Sequence, residues 1–457
     1  MQTSLADFIR DTPEGREADA ILRKCTHCGM CTATCPTYQL LSDELDGPRG
    51  RIYLIKQVLE GATPTAKTQL HLDRCLTCRA CETTCPTGVR YGRLVDIGRH
   101  LVEERVVRGP VESAWRAALN AVISRSALFG TLLGLGQLAR PLLPSALKRK
   151  VPPAAAPAGP WPAATHARRM LVLDGCVQPS LSPATNAAAA RVLDRLGISL
   201  VRVAGAGCCG GVSFHLNLQD KALDVMRRTI DAWWPHIEQG AEAIVIAASG
   251  CGVTVKDYDH LLNHDPAYAA KAKRVSDLTK DISEVVIMEK EKLKLLIPHP
   301  STAASDASSH DSSSSTSAAL RATGGQIPAE VRGPSSAPRR APIPRQRVAF
   351  HSPCTLQHGL KLKGAVENLL VDLGYALSPV PDAHLCCGSA GTYSILQPGL
   401  SQRLLENKIA ALESGASTAI LTANIGCQAH LQTATRLPVR HWIEALDESL
   451  SPLGSSS

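Results

Sequence analysis

At 457 residues, 44% apolar and 20% charged, the chain has the balance of a globular protein of roughly two to four domains, not that of a disordered or membrane-embedded one. Its net charge of +8 comes with 4% aromatics and no basic stripe interleaved with them, which argues against nucleic-acid binding and leaves a solvated face or an acidic protein partner to account for the excess. The N-terminal residues do not combine a basic start, an apolar run and a small-residue cleavage site, so the 16 cysteines are expected in the reducing cytoplasm, binding metal or doing redox work.

Eight of these cysteines fall in residues 1–100, in two runs of one spacing. Cys25-x-x-Cys28-x-x-Cys31-x-x-x-Cys35-Pro36 and Cys75-x-x-Cys78-x-x-Cys81-x-x-x-Cys85-Pro86 both match the bacterial ferredoxin pattern. Three thiolates at spacing three wrap one face of a cubane, while the fourth and its proline lead the chain to the other cluster. The expected ligand sets are therefore Cys25, Cys28, Cys31 and Cys85 on one [4Fe-4S] cluster, and Cys75, Cys78, Cys81 and Cys35 on the second. Cys-x-x-Cys alone is common in zinc sites, but two four-cysteine runs closed by Cys-Pro point to iron and sulfide. Between the runs, Asp46-Gly47-Pro48 supplies a turn, and Ile52, Ile55, Val58 and Leu59 recur at helical spacing. The 39 residues separating Cys35 from Cys75 exceed a minimal ferredoxin loop and resemble the α-helical ferredoxin domains attached to flavoprotein dehydrogenases.

Residues 101–168 form a helical connector that ends in a Pro/Ala-rich linker over 151–164. Its uncharged stretch Ser126–Ala139 has 14 residues, short of the ~20 that span a bilayer, and is taken as a buried helix, with a peripheral membrane contact as the alternative. From residue 170 the pattern changes to α/β: strands over 170–173, 198–203 and 243–247 alternate with helices over 187–196 and from Leu223 to a stop or kink near Pro235.

The same elements recur near the C-terminus as a duplication. Cys176, Cys208-Cys209 and Cys251 in residues 169–297 correspond to Cys354, Cys386-Cys387 and Cys427 in residues 348–447, with 31 residues between the single cysteine and the pair in both copies. A serine- and alanine-rich linker is expected over 298–347 and a short tail over 448–457. Gly205-x-Gly207-x-x-Gly210 follows a predicted strand and formally matches a dinucleotide fingerprint. Its counterpart keeps only Cys386-Cys387-Gly388, so the shared element is the cysteine pair.

The repeats resemble the cysteine-rich (Cys-Cys-Gly) domain of heterodisulfide reductases and several respiratory dehydrogenase subunits. Those reductases carry a further cysteine three positions before the last, where this chain has Ala248 and Asn424. Four thiols per repeat remain for metal binding, electron exchange or a structural role. His215, His351, His358 and His384 are read as packed or surface residues, with ligation or proton transfer as the alternative.

Nearly the whole chain outside 298–347 resembles the glycolate oxidase iron-sulfur subunit family, through stretches such as Asp46-Gly47-Pro48-Arg49-Gly50-Arg51 and Thr422-Ala423-Asn424-Ile425-Gly426-Cys427. The resemblance implies an α + α/β chain: an N-terminal α-helical ferredoxin domain with two [4Fe-4S] clusters, then two α/β cysteine-rich repeats. It implies a non-catalytic electron-transfer subunit of an oxidoreductase, whose FAD resides on partner glycolate oxidase subunits. Electrons from oxidation of glycolate to glyoxylate would leave toward a quinone-type acceptor, through the paired-cysteine repeats or directly. The corresponding location is cytoplasmic, including the cytoplasmic face of the inner membrane. Alternatives are the same relay for a lactate or glycerol-3-phosphate dehydrogenase, a thiol or disulfide reductase acting at the paired cysteines, and a zinc-stabilised scaffold.

Overall fold

The computed structural model describes residues 1–144, 148, 151–296 and 347–450. The segment expected as a linker lies outside the described residues apart from Arg347, which opens a strand.

The N-terminal part is helical. Thr12 caps the helix Pro13–Lys24 by accepting the Gly15 N–H, and Pro48 starts Pro48–Leu59. The apolar faces of these helices meet that of Tyr91–Arg105, burying Leu22, Ile55, Leu59, Leu94 and Val95. Gly98 permits the close crossing, since a Cβ there would lie 2.6 Å from Ile55 Cγ1.

Two four-stranded parallel sheets follow. The first has the order β2-β1-β3-β4, with β1 (Arg168–Val172), β2 (Ile198–Arg202), β3 (Ile244–Ile246) and β4 (Thr279–Asp281). The second, β6-β5-β7-β8, repeats it with β5 (Arg347–His351), β6 (Ala376–Ser378), β7 (Ala419–Thr422) and β8 (Val439–His441). Strands covered on both faces read as continuous apolar runs, as β3 does. In this order the crevice between β1 and β3, or β5 and β7, is where the connections diverge, and ligand sites form at its carboxyl end.

The repeats share one core, in which Val192 and Leu193 of the helix Pro183–Arg195 and Trp442 and Leu446 of the helix Trp442–Leu450 belong to a single apolar cluster. Arg191 and Arg195 both pair with Asp447 across this junction. His441 Nε2 lies 2.8 Å from the Ala247 carbonyl, and the Ser249 N–H donates to Ala423 at 3.2 Å.

The helix expected to stop or kink near Pro235 ends at Glu238, one turn beyond that proline, with Ile237 buried. Two sequence expectations are corrected. The final helix runs past residue 447 to Leu450, because Leu446 and Leu450 share its buried face. The helix Ser126–Ala139 has no buried residue, so it is not the buried connector helix expected. It packs on Pro110–Ile123 and Gln178–Leu181 and leaves Leu128, Leu132, Leu135 and Leu138 exposed. Among the described residues no single helix is long and apolar enough to cross a membrane.

Candidate metal centre

Each Cys-x-x-Cys-x-x-Cys run closes through left-handed residues on both sides of its middle cysteine. These are His27 (φ 61°) and Gly29 (φ 84°) in the first run, and Thr77 (φ 51°) and Arg79 (φ 59°) in the second. That conformation costs a non-glycine residue about 1–2 kcal/mol, so its surroundings must enforce it. Arg79 is held by an ion pair to Asp257 of the first repeat.

The eight thiols line two adjacent cavities. Cys25, Cys28, Cys31 and Cys85 line the first, whose wall Cys81 also reaches. Cys35, Cys75, Cys78 and Cys81 line the second. Pro48 and Tyr91 stand at both cavities. Each set joins three cysteines of one run to the fourth of the other, so neither run can complete a site alone.

The donors suit a thiolate-bound cation. The Thr77 N–H lies 3.4 Å from Cys75 Sγ and the Val89 N–H 3.4 Å from Cys85 Sγ, while the Tyr91 hydroxyl donates to Cys75 Sγ at 3.6 Å. Burial pushes the Cys31 thiol up to about 11 and those of Cys78 and Cys81 well above their ordinary value. Clustered buried thiols resist ionisation until a cation replaces the protons. At exposed Cys28 the Met30 N–H pulls the other way, and at Cys85 burial is outweighed by hydrogen bonds led by Thr87.

Spacing alone missed Thr37 and Thr87. Their hydroxyls sit 3.3 Å from Cys35 Sγ and 3.4 Å from Cys85 Sγ. The signal was present, since both runs end Cys-Pro-Thr. A hydrogen bond donated to sulfur, as the Thr87 hydroxyl can give Cys85, stabilises the reduced, more negative state and raises its potential. Thr37 instead gives its one proton to the Asp46 carbonyl at 2.8 Å and accepts from Arg51 at 3.2 Å. Arg51 and Asp46 are fully buried behind the second cavity, where the Asp46 carboxylate also meets Arg74 at 2.8 Å and His71 at 3.1 Å.

The other eight thiols gather into two chains at the carboxyl ends of the sheets. In the first repeat, Cys176 contacts Cys208, Cys208 contacts Cys209, and Cys209 contacts Cys251. In the second, Cys354 and Cys386 Sγ atoms lie 3.8 Å apart, and contacts continue through Cys387 to Cys427. The third residue of each Cys-Cys-Gly is left-handed, and a Cβ at Gly388 would lie 2.7 Å from the Ser401 carbonyl oxygen. Gly205 and Gly207 belong to the loop that delivers the first pair, and the helix after it, Gly211–His215, has five residues.

The second repeat lies directly against the second cavity. Cys78, Leu76, Cys354, Cys386 and Tyr393 share one apolar cluster, and the Tyr393 hydroxyl donates to the Arg74 carbonyl at 3.2 Å. His358 bridges the same seam between the Thr83 hydroxyl at 3.0 Å and the His384 carbonyl at 3.1 Å. His358 therefore packs at an interface, His384 contributes only its carbonyl to that bridge, and His215 is an exposed residue at the end of the helix Gly211–His215. His351 is different: it sits among the second repeat's thiols.

Two neighbouring cysteine-lined cavities sharing both sequence runs define an iron-sulfur electron carrier. A 4Fe-4S dicluster domain model matches residues 21–89, and a cysteine-rich domain model matches 170–256 and 348–432. The chain is 51% identical over 450 residues to the glycolate oxidase iron-sulfur subunit of Escherichia coli K12, covering 98% of this chain and 99% of that one. It thus belongs to the family of glycolate oxidase iron-sulfur subunits. It is also 27% identical to a Bacillus subtilis 168 protein named probable glycolate oxidase iron-sulfur subunit, over 92% of this chain and 90% of that one. Lactate utilization protein A of Bacillus licheniformis is 23% identical over 52% of this chain and 80% of its own length.

Proposed function

We propose that this chain relays electrons within a glycolate dehydrogenase, from FAD on partner subunits toward a quinone-type acceptor. Cys25, Cys28, Cys31 and Cys85 would hold one [4Fe-4S] cluster, and Cys35, Cys75, Cys78 and Cys81 the other. The observation that carries this reading is the crosswise division of eight thiols between two adjacent cavities. When bound, the two clusters supply one-electron sites, which a two-electron flavin donor requires side by side. The protein's part is to fix the thiolates, to set their hydrogen bonds through Thr87 and Tyr91, and to exclude water around the second cavity.

The first cavity faces outward. Cys28 is exposed, and exposed Met30 and Tyr53 lie near it, which suits entry of electrons from a docked flavoprotein. The second is covered by the second repeat. The strip Leu128, Leu132, Leu135 and Leu138, with Arg125 before it and Arg140 after it, suits a peripheral contact with the cytoplasmic face of a membrane, where quinone resides. Lactate as the substrate is the weaker reading, since the lactate utilization relative matches only about half of this chain.

Cys28→Ser and Cys78→Ser test the relay in the purified complex. Both variants are expected to lose cluster absorbance and glycolate-to-acceptor turnover while glycolate still reduces the partner flavin. Undiminished acceptor turnover in both overturns the proposal.

A further inference from the structure

We propose that Arg99 is the fixed counter-charge of the second cavity: its guanidinium raises the reduction potential of the cluster held there and leaves that of the first unchanged. The inference rests on reading that cavity as a [4Fe-4S] site. Arg99 lies on the helix Tyr91–Arg105 and is 8% exposed. Its Nη2 donates to the Cys75 carbonyl at 2.6 Å and to the Leu72 carbonyl at 2.8 Å, and its Nε donates to the same Leu72 carbonyl at 3.1 Å. Cys75 lines the second cavity, so the charge is brought to the backbone of a ligand.

A missing partner supplies the independent observation. Arginine stays protonated inside a protein, and a buried charge without an opposite one is costly. Of the four buried arginines among the described residues, Arg51 pairs with Asp46, Arg108 and Arg116 pair with Asp73, and Arg99 has carbonyls alone. Asp96, three residues earlier on the same helix, feels the charge of Arg99 without pairing with it. The thiolates of the second cavity, once they hold their cluster, provide the negative charge that Arg99 otherwise lacks.

Helix capping is the simpler account, and it covers only part of the geometry. The helix Ala66–Asp73 ends beside Leu72, where a cation is favoured by the helix dipole. Capping explains the bond to Leu72. It explains neither the bond to Cys75, beyond the helix end, nor the burial of a whole charge to make it.

The direction of the effect follows from charge. Reduction makes a thiolate-bound cluster more negative, and removing water from around it lowers its potential. The second cavity lies under the second repeat, whereas the first opens to solvent at Cys28. A buried cation offsets that penalty and is little screened by salt. An electron moving from the first site to the second is then spared the uphill step that burial alone imposes, and no bond in the chain is made or broken. The first cavity is lined by one arginine, Arg49, which is partly exposed and paired with Glu44, so the effect of Arg99 is confined to one site.

The test is an anaerobic redox titration of the full chain followed by EPR, with iron counted in the same samples. The native chain should hold about eight irons and show two one-electron steps. Arg99→Gln should make one of the two centres about tenfold or more harder to reduce, a downward shift of about 59 mV for one electron, and leave the other step and the iron in place. Arg99→Lys keeps the charge and gives up the forked bonding, and should stay within about threefold of native. Two unshifted steps in Arg99→Gln at full iron, an equal shift of both, or an Arg99→Lys chain displaced as far as Arg99→Gln overturns the inference alone. If Arg99→Gln assembles a single cluster, Arg99→Lys decides: native potentials at full iron support the charge, and a displaced step overturns it. A native chain without a second reducible centre overturns the relay reading, and this inference with it.

Discussion

Replacing Asp46 by Asn tests whether the charge network behind the second cavity holds the cluster. The side chain keeps its shape and loses its charge, leaving Arg51, itself 1% exposed, beside a neutral amide. Breaking a buried ion pair by removing one partner costs about 3–5 kcal/mol. Here the Asp46–Arg51 separation is 3.4 Å, and Arg51 keeps the His71 carbonyl at 2.7 Å and the Thr37 hydroxyl, so about 2–4 kcal/mol is the better figure. At about 1.4 kcal/mol per factor of ten, that is roughly a 30- to 700-fold faster local opening. Loss of a cluster is irreversible, so a rate is the proper observable. Iron release to a chelator, followed anaerobically by fading of the visible absorbance, should become biphasic in Asp46→Asn, with one half accelerated and the other near the native rate. Release within about threefold of native for all the iron would show that this network does not hold the cavity closed.

His441 predicts an acid-sensitive junction between the repeats. Burial pushes its pKa down to about 4, against the upward pull of its hydrogen bonds to the Ala247 and Ala423 carbonyls, and the neutral ring accepts the Ile443 N–H at Nδ1 at 3.2 Å. The folded value lies below the ordinary 6.5, so below pH 6.5 the unfolded chain binds a proton that the folded chain refuses. Stability is complete above pH 6.5 and falls by up to about 3 kcal/mol toward pH 4. His441→Gln should be less stable at neutral pH yet lose less between pH 6.5 and 5 in thermal unfolding, and parallel pH profiles would refute the assignment. For the exposed helix, Leu132→Ser with Leu135→Ser should weaken co-sedimentation with anionic vesicles about tenfold or more, at about 1–2 kcal/mol per leucine removed from the interface. Unchanged binding would remove the membrane contact.

What the sequence disclosed and what it withheld follow from the range of the forces involved. Cubane ligation fixes spacing over a few residues, so the two cysteine runs can be read directly, and the Asp46-Gly47-Pro48 turn and its helix are set by equally local chemistry. The alternation of short apolar runs with helical periods discloses the parallel sheets because strands covered on both faces must be apolar throughout. The helix Ser126–Ala139 misled because apolar composition reports a preference for burial without showing whether a neighbour is there to provide it. Pro235 placed the end of its helix to within one turn, the extra turn reaching buried Ile237. His351 could be read only as a packed histidine, because nothing in its neighbourhood along the chain shows Cys387 and Cys427 arriving beside it from separate loops.

The duplication therefore divided labour between two copies of one fold. Both keep the sheet order and the four thiols, so the scaffold and the thiol chain are what the fold itself maintains. The differences lie in what the chains meet. Asp257 and His260 of the first repeat grip the cluster domain through Arg79 and Glu17, at its helices and the turn of its second run. The second repeat brings Cys354 and Cys386 into the apolar cluster around Cys78. Only there does a thiol chain adjoin a cluster cavity, and there alone of the two repeats a histidine, His351, stands three positions before the single cysteine, where the first repeat has Leu173.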